Sequence, residues 1–113
     1  MQLLLFVLNK EEHIDEILEL FIELDIHGAT IIDSIGMGRI LAHDIPIFAG
    51  FRQLMQESRP GNKTIFSVIP DDKIPLVING IEQICGSLDE HGSGILMTLP
   101  ISYIKGFDKK SGD

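Results

Sequence analysis

Residues 3–8 read Leu3-Leu4-Leu5-Phe6-Val7-Leu8, a continuous apolar run with no alternation. A strand wetted on one side alternates apolar and polar residues, so this run predicts a strand covered on both faces. Downstream, Ile14, Ile17, Leu18, Phe21 and Leu24 recur at helical spacing. Asn9 and Glu12 are placed like a capping box and Gly28 lies beyond the end, which predicts a helix over 11–25. Thr30-Ile31-Ile32-Asp33-Ser34-Ile35 is β-rich and stops at Gly36. The first third of the chain is therefore a βαβ unit, expected to cross over right-handedly.

The same pattern returns 60 positions later: Phe6 maps to Phe66, Ile14 to Ile74, Ile17 to Val77, Leu18 to Ile78, Phe21 to Ile81 and Leu24 to Ile84, while Leu20 faces Gly80 in the alignment. A matched strand and helix face points to an internal duplication. Thr64–Ile69 is then a third strand, Asp72 caps a helix running to Cys85 with Pro75 tolerated in its first turn, and Gly94–Leu99 is a fourth strand. Two interleaved βαβ units predict an α+β fold, a ferredoxin-like βαββαβ sandwich with a four-stranded antiparallel sheet and two helices on one face. The first strand is apolar on both sides, and Ile31, Ile32, Ile95, Leu96 and Met97 make the second and fourth nearly so. The face without helices is too hydrophobic for a monomer, which predicts self-association sheet to sheet, or else a central loop folded over it.

With 113 residues, the chain is read as one domain over 1–105, carrying a long central loop over 37–62 and ending in a mobile tail over 106–113. Nine Lys and Arg against seventeen Asp and Glu give a net charge of −8, which argues against nucleic acid or anionic membrane as a partner. The single cysteine, Cys85, forms no internal disulfide and suits a reducing, cytoplasmic setting. The N-terminal apolar run is too short for a membrane span and lacks the basic flank of a signal peptide.

Loops as long as 37–62 are commonly functional. Within it, Asp44 and Pro46 could start a short helix whose apolar stripe is Ile47, Phe48, Phe51, Leu54 and Met55, either a lid on the core or, with Arg52, a docking surface for a partner protein. Gly36-Met37-Gly38-Arg39 closes the second strand, where curled backbone and the Arg39 guanidinium could meet an anion, or simply form a turn. A second glycine-rich connection, Gly86 to Gly94, precedes the fourth strand and could approach the Gly36 turn of a neighbouring subunit. No GxGxxG, Walker lysine or GxSxG elbow is present, and His13, His27, His43 and His91 share no metal-ligand spacing. Neither a metal site nor a catalytic constellation is expected. The first helix carries Glu11, Glu12, Asp15, Glu16, Glu19, Glu23 and Asp25, which reads as a solvated face.

Gly28-Ala29-Thr30-Ile31-Ile32-Asp33 followed by Gly36-Met37-Gly38-Arg39 is similar to the Gly-x-Thr strand and Gly-Phe-Gly-Arg turn of the PII nitrogen-regulatory signalling proteins. The duplication and the central loop also fall where that family has them, so the chain resembles a divergent PII-like member over nearly its whole length. The resemblance implies a homotrimer without catalysis, whose long T-loop contacts an unidentified regulated protein and whose intersubunit clefts bind adenine nucleotides. By resemblance, Thr30, Gly36, Met37, Gly38 and Arg39 line the ligand site, with Arg39 on phosphate, and Gly92 and Gly94 match the B-loop glycines.

The chain also departs from that pattern. The B-loop lysine that holds phosphates is absent, Ile40 stands where the family has Gln, and the C-terminal cations reduce to Lys105, Lys109 and Lys110. AMP-like, cyclic or non-nucleotide ligands thereby become better candidates than ATP. The only tyrosine, Tyr103, lies outside the loop, which leaves no acceptor for uridylylation. Two other classes compete: a trimeric metal-binding protein of the CutA kind using His43 or His91, and a small ferredoxin-like enzyme with its site between sheet and helices.

Overall fold

The computed structural model describes residues 1–37, 61–90 and 92–107. Strand β1 (Gln2–Leu8) leads through a 3-10 turn (Glu11–His13) into helix α1 (Ile14–Glu23) and strand β2 (Thr30–Ser34). Strand β3 (Asn62–Ile69), a second 3-10 turn (Asp71–Lys73), helix α2 (Ile74–Cys85) and strand β4 (Gly94–Pro100) repeat the order. The sheet runs β2-β3-β1-β4 with every neighbouring pair antiparallel, so each helix crosses between parallel strands that have one strand between them. This is the ferredoxin-like arrangement expected from the duplication.

Burial alternates along the two central strands. Leu4, Phe6 and Leu8 of β1 and Ile65, Ser67 and Ile69 of β3 are buried, and they meet Ile17, Phe21, Val77, Ile81 and Cys85 from the helices. The remaining positions, Leu3, Leu5 and Val7 with Phe66 and Val68, point to the other face of the sheet. The unbroken apolar run of β1 thus serves two surfaces, of which the helices cover one.

The duplication holds at 60 residues for the helices, but not for the strands. Paired residues share a face, and Phe6 pairs with Ile65 on the helix side, while Phe66 pairs with Leu5 on the open side. Phe6 and Phe66 are therefore not equivalent. Equal burial requires 61 positions, matching Leu4 to Ile65, Phe6 to Ser67 and Leu8 to Ile69. The cause is local: two residues, Asn9 and Lys10, join β1 to its turn, whereas Pro70 alone joins β3 to its own.

The helix starts also differ from expectation. Each helix is entered through a 3-10 turn, and neither start carries a side-chain cap bond. Instead of closing a capping box, Asn9 donates its backbone N–H to the Ser93 carbonyl (3.2 Å) and accepts from Asn62 Nδ2 (3.4 Å). Asp72 sits inside the second 3-10 turn rather than at the cap, and α2 ends at Cys85 with Gly86 at φ 86°. The Met1 ammonium lies 2.9 Å from Asp71 and holds its carboxyl below the usual carboxylate range, fastening the start of β1 to the turn after β3.

Candidate functional site

Strand β2 is shorter than β3. Its ladder begins at Thr30 opposite Phe66 and ends at Ser34 opposite Asn62, so Ser67, Val68 and Ile69 continue without a β2 partner. A cleft of about 350 Å³ opens in that gap, lined by Leu3, Gly28, Ala29, Thr30, Phe66, Ser67, Val68 and Phe107. Its floor is the open sheet face, and its rim is the backbone that enters β2. Clefts of this size hold small organic ligands. The side chains lining it carry no charge, and Thr30 supplies a hydroxyl.

Of the residues expected to bind ligand, Thr30 lies in this cleft. Gly36 and Met37 follow Ser34, the far end of β2, which itself lies roughly 13 Å from Thr30 at the usual strand rise. Gly94 opens β4 on the opposite edge, with two strands between it and β2. Within one chain, then, Thr30, Gly36 and Gly94 occupy three separate corners of the sheet. Gly38, Arg39, Ile47, Phe48, Phe51, Arg52, Met55, His43, His91, Lys109 and Lys110 lie outside the described residues.

The three described glycines of the expected site differ in what the backbone asks of them. Gly94 adopts φ 149°, and an added Cβ would collide with the Val7 carbonyl oxygen, so β4 needs glycine there in order to pair with β1. Gly92 adopts φ 94°, a conformation that disfavours other residues. Gly36 meets neither constraint: the nearest atom to its Cβ position is Asn62 Nδ2 at 3.8 Å. Hydroxyls and amides gather beside it on the open face, where Ser34 Oγ hydrogen-bonds Thr64 Oγ1 (2.8 Å) and the Asn62 side chain. Asn62 in turn reaches Asn9.

The sequence reading missed the rest of the cleft. Leu3, Phe66 and Val68 appear there only as strand residues, and Phe107 falls in a stretch assigned to the tail. The structure brings Phe107, half-buried, against them. Ser67 is 3% exposed and donates from Oγ to the Gly28 carbonyl at 2.6 Å. A serine interrupting an Ile-x-Ser-x-Ile core pattern was the available signal.

Lys63 is hydrogen-bonded to Asp33 across the β2–β3 pair, which raises its pKa. Lys73 Nζ donates to the Asp25 carbonyl (3.4 Å), and His27 pairs with Asp25 (2.8 Å). Burial pushes the Cys85 thiol up, the opposite of what a reactive thiolate needs. Among the described residues, no three His, Cys, Asp or Glu side chains gather as metal ligands, and no helix is long and apolar enough to cross a membrane.

No family model matches the chain, and no curated protein matches it.

Proposed function

We propose that this chain is a PII-like signal-transduction protein, a homotrimer that takes a small ligand in clefts between subunits and answers by changing how residues 37–62 meet a partner protein. The observation that carries this reading is the cleft beside Gly28, Ala29 and Thr30, which opens on an apolar sheet face. Ile32, Ile95, Met97 and Leu99 all lie on that face and are 42–61% exposed. Burying such a face against other copies stabilises it by roughly 25 cal/mol per Å². Contact between copies would also supply the walls that a single chain keeps at separate corners.

The response is a population shift, so the ligand must bind one state of the central segment more tightly than the other. An adenine nucleotide is the first candidate, with AMP-like or cyclic forms favoured because few cations are present to hold a triphosphate. Arg39 is assigned to the phosphate. The protein has no catalytic role in this reading and works in the cytoplasm, with nitrogen regulation as the setting the family resemblance implies.

Calorimetric titration with ATP, ADP, AMP and cyclic AMP, with and without magnesium, tests the proposal. The expected result is saturation near one nucleotide per subunit, abolished by Arg39→Ala while sedimentation still reports a trimer. Flat traces for all four nucleotides would remove the nucleotide-sensing function.

A further inference from the structure

The wall of the cleft has an anchor that the duplication does not explain. Ser67 stands where the first half of the chain has Phe6, in a core row whose other β3 members are Ile65 and Ile69. A hydroxyl at 3% exposure is costly unless it is hydrogen-bonded. Here its partner is the carbonyl of Gly28, at 2.6 Å.

Gly28 belongs to a stretch that ordinary secondary structure does not hold. Ile26 is tied to the end of α1 through its N–H to the Phe21 carbonyl (2.7 Å), and the β2–β3 ladder starts only at Thr30. Between those two fastenings the chain forms the rim of the cleft, and Ser67 reaches it from beneath. A phenylalanine at 67, as in the equivalent position, would fill the core but leave the Gly28 carbonyl without this donor.

We infer that Ser67 is a positioning residue for the cleft: its buried hydroxyl holds the Gly28–Ala29–Thr30 wall in the conformation that accepts the ligand. This rests on the proposed function, because it gives the cleft's wall a binding role. A wall populated in the accepting form only a tenth of the time weakens apparent affinity tenfold, whatever the contacts once bound.

The test compares wild type, Ser67→Ala and Ser67→Thr as full-length protein, using AMP calorimetry and amide hydrogen exchange without ligand. Ser67→Ala should weaken AMP binding about tenfold and speed exchange at Gly28–Thr30, leaving the β1–β3 amides protected. Ser67→Thr keeps the hydroxyl and should restore both. Wild-type and Ser67→Ala proteins binding AMP equally would overturn the role of Ser67 and leave the nucleotide reading standing. An Ala variant whose amides all exchange faster together would also overturn it, by reducing Ser67 to general stability. A wild type that binds no AMP would remove both the AMP reading and the positioning role, while a local exchange response would still mark Ser67 as a tether of β2.

Discussion

Leu20 and Gly80 hold equivalent positions in the two halves of the chain, and they touch. A Cβ built on Gly80 would lie 2.5 Å from Leu20 Cδ1, which places the pair at the pseudo-twofold axis relating the helices. Two leucines would compete for one space there, so one half keeps the side chain and the other gives it up. Gly80→Ala should lower stability by about 1 kcal/mol, the overpacking cost exceeding the gain in helix propensity. In a Leu20→Ala background the same substitution should become stabilising, since only the propensity gain remains. Urea denaturation of the four proteins in that cycle decides the matter; equal effects in both backgrounds would show that the two side chains are not coupled.

Among the elements, β4 and the segment before it show that a glycine expected at a ligand site also answers to the fold. Gly94, expected at the ligand site only by resemblance, has a backbone that lies against Val7 closely enough that any side chain would push β4 off β1. Gly36, at the end of β2, has ordinary room around it. Gly94→Ala should therefore lower the melting temperature and broaden spectra across β1 and β4. Gly36→Ala should leave melting nearly unchanged and, if the proposed ligand site is right, act on ligand affinity. A Gly94→Ala protein as stable as wild type would contradict the close approach of these strands, and loss of folding in Gly36→Ala would show an undetected structural role. The pair separates binding from scaffolding, which sequence matching cannot do.

At the scale of the molecule, the open sheet face is the surface on which the proposed self-association depends. The axis relating β1 to β3 passes between Leu5 and Phe66, and the apolar surface spreads from there to Ile32 on one edge and to Ile95, Met97 and Leu99 on the other. A charge placed in it should separate the copies. If the protein is the proposed trimer, Met97→Lys is expected to convert it to smaller species by light scattering while the helical circular dichroism persists. An unchanged mass would show that association uses another surface.

Much of this architecture was legible in the chain itself. Apolar spacing of 3.6 along both helices, the unbroken run of β1 and the repeated order of elements determine a four-stranded sheet with two helices, because each signal depends on neighbours within a few residues. Thr30, Gly36 and Gly94 could be picked out by pattern, but not their separation onto three corners of the sheet. Nor could the strands' shift from 60 to 61 positions, set by one extra residue beside Asn9, be read before the register was known. The cleft depended on tertiary structure alone. It exists because β2 stops short of the end of β3, and because Phe107 and Ser67, distant in sequence from Gly28, converge on that gap. Local periodicity decides which residues are buried, whereas only the packed chain decides which of them meet.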